Sequence, residues 1–241
     1  MAPSSSSPDR PDGRDPASSR TILIGLLGYA LVLFAVRCLG PSNLTDNDQE
    51  RPASYVLDAV VNGHWIVQYD WTGDITSKPP AYTWLAGAIT AATGGPSLWA
   101  LYLPCALAMF GAAALIAREA ARAFGARTAL WTGLFALANP LSAKLVALAR
   151  TDPLFTFAVT WTAVLAFRAW RKGRGWEWAW FAAALATLTK GPLGLVLGFA
   201  GTLAWLRERR PGAPTPFGRG HLAGVAVWLA LGLGWFALAW S

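Results

Sequence analysis

Charged residues are scarce in this chain. Asp, Glu, Lys and Arg together make up 14% of its 241 residues, whereas hydrophobic residues make up 54%. A soluble domain of average composition carries about 25% charged residues. The mean hydropathy is also positive, at +0.38. This composition excludes an ordinary soluble protein and predicts an integral membrane protein.

Cysteine and histidine are nearly absent, with two of each. Cys38 and Cys105 lie within or beside apolar segments, where we interpret them as small packing residues, so no disulfide framework is predicted. His64 and His221 share no metal-ligand spacing with other residues. The sequence therefore identifies no cofactor, and it leaves a divalent metal ion open.

Acidic residues are outnumbered by basic ones, 13 to 20. The basic residues form short clusters between apolar segments, which is typical of cytoplasmic loops in membrane proteins rather than of a nucleic-acid-binding surface. No nucleic-acid partner is therefore predicted. Fourteen of the twenty lie in four clusters that we assign to the cytoplasm, at residues 10–20, 118–127, 168–174 and 207–219.

Long apolar segments are what the chain has in abundance. Residues 1–20 are rich in Pro and Ser and are predicted to be a disordered cytoplasmic tail, followed by one transmembrane domain over residues 21–241. A cleaved signal peptide is the alternative for the first segment, but its apolar stretch is long and lacks a small-x-small cleavage site. Segments of about 20 apolar residues can cross a bilayer. The predicted spans are Thr21–Leu39, Ser97–Ala117, Thr128–Leu148, Pro153–Phe167 with its flanks, and Leu222–Ser241.

The segment Trp176–Leu206 is less regular, because both of its ends are basic and a single crossing cannot place both in the cytoplasm. Its middle, Thr189-Lys190-Gly191-Pro192, contains the residues that break a helix. Two short half-spans are therefore predicted, in an all-α polytopic membrane fold with about six or seven transmembrane helices. Lys190 at the break is either a functional residue or a lysine that reaches to the interface.

Residues 41–96 form the first extracytoplasmic loop in this topology and hold many of the acidic side chains. Helical spacing predicts two interfacial helices, Ala53–Val61 and Pro80–Thr93, each with a proline in its opening turn. Asp46 and Asp48 precede the first helix, and Lys78 precedes the second. These helices are expected to frame a shallow cavity between lipid and water.

This arrangement of charges suggests group transfer at the outer membrane face. Asp48 is a candidate general base for an incoming hydroxyl or amine. Lys78, Arg150 and Lys190 are candidates to neutralise a phosphate leaving group, and Asp152 adds a second acid. The alternative is that residues 46–50 are a solvated loop and a helix cap.

Several motifs together carry a family resemblance. The first loop contains Asp48-Gln49, then Gly63-His64-Trp65 fifteen residues after Asp48, then Lys78-Pro79-Pro80 followed by Tyr82 and Trp84. Two later motifs are Ala149-Arg150-Thr151-Asp152-Pro153-Leu154 and Leu188-Thr189-Lys190-Gly191-Pro192. In this order the motifs resemble the clan C glycosyltransferases, and in particular the dolichyl-phosphate-mannose protein mannosyltransferases and their bacterial aminoarabinose-transferase-like members.

The resemblance implies a role for each matched position. Asp48 would be the catalytic aspartate, Asp152 would support the site or position the acceptor, and the three cations would hold the lipid phosphate. Gln49, Tyr55 and Tyr82 would belong to the substrate-binding surface. Gln49 stands where the family has Glu, and His64 stands where it has Asp, a position expected to be structural. The substrate-binding set is thus Lys78, Arg150, Lys190, Gln49, Tyr55 and Tyr82.

The implied activity is transfer of a sugar from a polyprenyl-phosphate carrier to an extracytoplasmic protein or glycolipid acceptor, in the cell membrane and with inversion at the anomeric carbon. The family pattern also leads us to expect that the chain is the N-terminal portion of a longer protein. Two alternatives stay open. One is a transporter or flippase in which Lys190 and Asp152 mark a polar pathway. The other is an inactive, lipid-binding fragment of such an enzyme.

Overall fold

A computed structural model describes residues 16–42, 44, 47–204, 218 and 220–240. Residues 1–15 of the predicted tail, Asp46 and the basic residues of the 207–219 cluster lie outside the described residues, as does Ser241. The first helix, α1, spans Pro16–Leu39. It begins five residues before the predicted span, so residues 16–20 are helical rather than disordered. Proline suits the first position of a helix.

The described chain is almost entirely helical. Among the described residues, four helices are long and apolar enough to cross a membrane: Arg20–Leu39, Leu98–Phe124, Asp152–Lys172 and Gly220–Trp240. The remaining helices are shorter. After α1 the order is α2 Asn47–Val61, α3 Ala81–Ala92, α4 Leu98–Phe124, α5 Ala126–Ala138, α6 Pro140–Leu145, α7 Asp152–Lys172, α8 Trp176–Lys190, α9 Leu193–Phe199 and α10 Gly220–Trp228, which continues through a π-helical turn Leu229–Leu233 into α11 Gly234–Trp240. This polytopic all-α membrane fold was predicted.

One predicted span is not a continuous helix. The segment Thr128–Leu148 is divided at Asn139-Pro140 into α5 and α6 and ends in an irregular segment. Pro140 cannot continue the α5 hydrogen-bond pattern. The Asn139 side chain instead accepts a hydrogen bond from the Ser142 amide at 2.9 Å, which starts α6. The prediction of one helix here was wrong. It relied on the apolar residues on both sides of Asn139-Pro140, which are typical of a continuous span, and gave the proline too little weight.

The predicted break of the Trp176–Leu206 segment is confirmed. Helix α8 ends at Lys190, Gly191 adopts a positive φ of 78°, and α9 begins at Leu193. A short 3₁₀ turn, Ala200–Leu203, follows α9. The two short helices contact each other closely at Gly194, where an added Cβ atom would lie 2.6 Å from the Ala186 Cβ. The close contact between α8 and α9 therefore requires a glycine at position 194.

The first loop contains two short helices, as predicted. Helix α3 agrees with the prediction, whereas α2 begins at Asn47 rather than Ala53. Asp48 therefore lies in the first turn of α2 and not before it. A buried apolar cluster joins both helices to α4 and to the segment before α7, with Val56, Tyr82, Cys105 and Ala149 among its members. This packing fixes the loop on the end of the helical bundle.

The connection between α2 and α3 is organised by Asp58. Its carboxylate accepts hydrogen bonds from the Asn62 side chain, the His64 ring and the Tyr69 amide at 2.7–3.1 Å. Burial acts to raise the pKa of Asp58, but the three hydrogen bonds outweigh it, so the pKa lies below its ordinary value of 3.8. His64 thus contacts a structural carboxylate, which agrees with the role expected for this position.

Acid is predicted to loosen this connection. A carboxyl group whose pKa is lowered by folding stabilises the folded state above its unfolded pKa, and that contribution is lost as the pH falls through the folded pKa. We expect protection of the Tyr69 amide against hydrogen exchange, corrected for the intrinsic rate, to fall below about pH 4. Asp58→Asn should remove this dependence. Unchanged wild-type protection between pH 7 and pH 3 would contradict the prediction.

A second prediction concerns the close contact between α8 and α9 at Gly194. Gly194→Ala should lower the free energy of unfolding by about 1–3 kcal/mol, the usual cost of overpacking, because Ala186 opposes the new methyl group with backbone as well as side-chain atoms. Gly28→Ala is the matched control, since nothing lies within 4 Å of its added Cβ. Thermal unfolding in detergent measures both. Equal midpoints for the two variants would rule out the close contact.

Candidate active site

Asp152 begins α7 and contacts two cations. Its Oδ1 lies 2.5 Å from Lys190 Nζ, and its Oδ2 lies 3.1 Å from Arg150 Nε. A carboxylate is favoured at this position because the N-terminus of a helix carries a partial positive charge. Both carboxylate oxygens are therefore engaged by cations, so Asp152 holds Arg150 and Lys190 in place.

Arg150 extends the ion-pair chain to the first loop. Its Nη2 lies 2.8 Å from Asp48 Oδ2 on α2. Four predicted site residues from three parts of the chain thus form one continuous set of ion pairs in the order Asp48, Arg150, Asp152 and Lys190. The Arg150 backbone is held in place by α4, because the Cys105 thiol donates a hydrogen bond to the Arg150 carbonyl at 3.2 Å.

Lys190 is the last residue of α8, directly before the break. Its amino group lies 5.6 Å from the centroid of the Phe155 ring, one turn after Asp152 on α7. An ammonium group within about 6 Å of an aromatic ring is attracted to its face. The carboxylate and the ring together place the charge of Lys190 beside Arg150. Phe155 was missed from the sequence, although its spacing of three residues from Asp152 puts both on one side of α7.

Lys78 is the third cation near this centre. It interacts electrostatically with the Asp152 carboxylate. The following Pro79 and Pro80 are buried, whereas Lys78 itself is half-buried. The prolines thus anchor the backbone while the lysine side chain keeps access to solvent. Three cations and two carboxylates leave this centre with a net charge of +1.

The other predicted binding residues, Gln49, Tyr82 and Tyr55, are uncharged side chains on the two helices of the first loop. Gln49 is buried beside Asp48. The Tyr82 hydroxyl donates a hydrogen bond to the Leu101 carbonyl at 2.9 Å inside the apolar cluster, where burial raises the pKa of the phenol well above its ordinary value. Tyr82 is therefore part of the buried packing next to the ion pairs, and its hydroxyl group is engaged inside the apolar cluster.

Tyr55 belongs to a second polar group on the same loop. Burial raises its pKa, the Asp70 carboxylate adds to that effect, and the neighbouring Arg51 and Thr76 side chains act against it. Asp70 in turn lies 3.3 Å from Arg51 Nε. A hydrogen bond from Thr72 is the largest cause of a lowered pKa at Asp70. Tyr55 therefore lies among polar residues of the loop itself, and its part in substrate binding stays a prediction.

An apolar groove adjoins the ion pairs. It has a volume of about 350 Å³ and lies between α3, α4, α7 and α8. Its lining includes Leu154 and Thr189, the near neighbours of Asp152 and Lys190, and continues past Phe157 and Ala158 to Trp161. A molecule with a charged head and an apolar tail matches this combination. Among the described residues, no group of three or more His, Cys, Asp or Glu side chains could hold a metal ion.

Two solved structures are similar to the chain. The structure of ArnT from Cupriavidus metallidurans bound to undecaprenyl phosphate is 25% identical, with a TM-score of 0.68, over 90% of this chain and 41% of that one. The apo form of ArnT from Cupriavidus metallidurans is 24% identical, with the same TM-score, over 92% of this chain and 42% of that one. The chain thus spans about two fifths of the length of these proteins.

Curated protein sequences provide no match. A family of proteins does match: residues 77–235 fit the family described as dolichyl-phosphate-mannose-protein mannosyltransferase. This range contains Lys78, Arg150, Asp152 and Lys190, and it ends within the last helix. Since the match covers more than half of the chain, the chain belongs to the dolichyl-phosphate-mannose-protein mannosyltransferase family.

Proposed function

We propose that the protein transfers a sugar from a polyprenyl-phosphate carrier to a hydroxyl or amine acceptor on the extracytoplasmic side of the membrane. One observation carries the proposal: a partly exposed carboxylate, Asp48, adjoins cations suited to a phosphate, and an apolar groove begins beside them. Family membership and the similarity to an ArnT structure with bound undecaprenyl phosphate support it.

The chemical step assigns a role to each charge. Asp48 accepts the proton of the acceptor hydroxyl or amine, whose oxygen or nitrogen attacks the anomeric carbon of the sugar. The bond between that carbon and the phosphate oxygen breaks, and its electron pair stays on the phosphate. Arg150, Lys190 and Lys78 stabilise the charge that develops there. A direct displacement of this kind inverts the anomeric carbon.

The charge of the centre suits the donor. A sugar linked to a lipid through a single phosphate carries one negative charge, and the five site residues sum to +1. Release of the sugar leaves a lipid phosphate with a further negative charge, which the three cations can stabilise. Cations that act on developing charge lower the barrier more than cations that bind substrate and transition state equally.

The distribution of basic residues supports an extracytoplasmic site. The exposed cations Arg118, Arg122, Arg171, Lys172 and Arg174 lie at the C-terminal ends of α4 and α7. Glu119 contacts Arg168 and Arg122 there and joins the two helices. Asp152 is at the opposite end of α7. If the basic end faces the cytoplasm, as such clusters generally do, the site faces outward.

Removing the proposed base tests the chemistry. Asp48→Asn should lower the rate of sugar transfer from a polyprenyl-phosphate donor by about a hundredfold to ten-thousandfold, the usual contribution of a general base, and should leave the fold intact because the side chain is 56% exposed. Glu50→Gln removes a neighbouring carboxylate and is the control. Full transfer by Asp48→Asn would exclude Asp48 as the base. Lipid translocation that survives in Asp48→Asn, without sugar transfer by the wild type, would favour a flippase.

Filling the groove tests the site of the lipid tail. Ala158 lines the groove and is 4% exposed, whereas Ala163 lies on the exposed side of the same helix. Ala158→Phe should weaken binding of undecaprenyl phosphate by about five- to a hundred-and-fiftyfold, which corresponds to the usual overpacking cost of 1–3 kcal/mol. Ala163→Phe should not change it. Equal affinities of the two variants would show that the tail lies elsewhere.

A further inference from the structure

Arg150 holds two carboxylates with one guanidinium group. Nε contacts Asp152 at 3.1 Å, and Nη2 contacts Asp48 at 2.8 Å. In the proposed function the same guanidinium also binds the donor phosphate. A phosphate at Arg150 would lie close to the Asp48 carboxylate because both would contact the same guanidinium group, and two anions on one cation repel each other. The three anions therefore cannot all be held equally well.

The two existing pairs differ in how easily they can separate. The Asp152 side chain is 29% exposed and is held by Lys190 as well as Arg150. The Asp48 side chain is 56% exposed. Ion pairs that are accessible to water are weak, because solvent screens the attraction and can replace the partner. Asp48 is thus the carboxylate that gives way when another anion reaches Arg150.

We propose, on the basis of the proposed function, that Asp48 and the donor phosphate compete for Arg150, so that donor binding releases the catalytic carboxylate. Before the donor binds, the guanidinium holds Asp48 Oδ2 and keeps it from the proton of an acceptor. Once the phosphate has taken over Arg150, Asp48 Oδ2 is no longer held by the guanidinium and can accept the proton of the acceptor. The donor accordingly binds before the acceptor.

Competition of this kind is reciprocal. If the phosphate weakens the Asp48–Arg150 pair, that pair must weaken phosphate binding by the same factor. The proposal therefore predicts an unusual result: a variant that abolishes the chemistry should bind the lipid phosphate more tightly. A residue whose role was only to hold Arg150 in place would give the opposite result, because its loss would disorder the phosphate site.

The experiment measures the affinity of the purified protein for undecaprenyl phosphate. Asp48→Asn should tighten binding by about tenfold, a typical size for coupling between two sites. Glu50→Gln, which removes a nearby carboxylate that makes no ion pair with Arg150, controls for the general loss of negative charge and should change the affinity less than about twofold. Unchanged thermal unfolding midpoints confirm that both variants are folded.

A double-mutant cycle then assigns the effect to Arg150. Arg150→Gln should weaken binding, and adding Asp48→Asn to it should give no further tightening, because the contested partner is absent. The proposal is overturned if Asp48→Asn leaves binding unchanged or weakens it. It is also overturned if the tightening persists in the Arg150→Gln background or is matched by Glu50→Gln.

The same measurements separate this proposal from the function on which it rests. A wild-type protein that does not bind undecaprenyl phosphate contradicts the proposed function itself. A wild-type protein that binds the lipid and transfers sugar, with an Asp48→Asn variant that binds no more tightly, contradicts the competition alone.

Discussion

The alternating ion pairs of Asp48, Arg150, Asp152 and Lys190 are the interaction on which the rest of this end of the molecule depends. Charged groups near a bilayer are costly unless they are paired, and removing one partner leaves an uncompensated charge. These four come from α2, the segment before α7, α7 itself and the end of α8. The pairs can form only if the starts of α2 and α7 and the end of α8 lie at the same level.

Two breaks in the helices allow these helix ends to meet. Asn139-Pro140 interrupts the chain before Arg150, and Gly191-Pro192 interrupts it directly after Lys190. In lipid, irregular backbone is tolerated where it is enclosed by protein or lines a cavity. The end of α8 meets this condition because it borders the apolar groove, and the irregular segment after α6 meets it because it is buried against α4. The break at Asn139-Pro140 is itself exposed. Helices α6 and α8 therefore end close to the ion-paired residues and do not continue past them.

How far the sequence predicts this arrangement depends on how local each signal is. The break at Lys190 was predictable because glycine, proline and a lysine adjoin one another in an apolar segment. The break at Asn139 shares only the proline of that signal, and the apolar residues on both sides favoured one continuous span. Pro52 was read as the start of a helix that begins at Asn47. A motif also gives no side-chain direction, so it could not reveal that the Tyr82 hydroxyl points into the core.

The two carboxylates of the centre differ in environment, and that difference separates their roles. Asp152 is engaged by cations at both oxygens and is only 29% exposed, so it is suited to hold Arg150 and Lys190. Asp48 is 56% exposed, which would leave it accessible to an acceptor in the proposed reaction. Carboxylates in distinct surroundings commonly divide such tasks. The exposure that makes the Asp48–Arg150 pair weak also makes it exchangeable, and a base must be able to leave its partner at the moment when its substrate is in place.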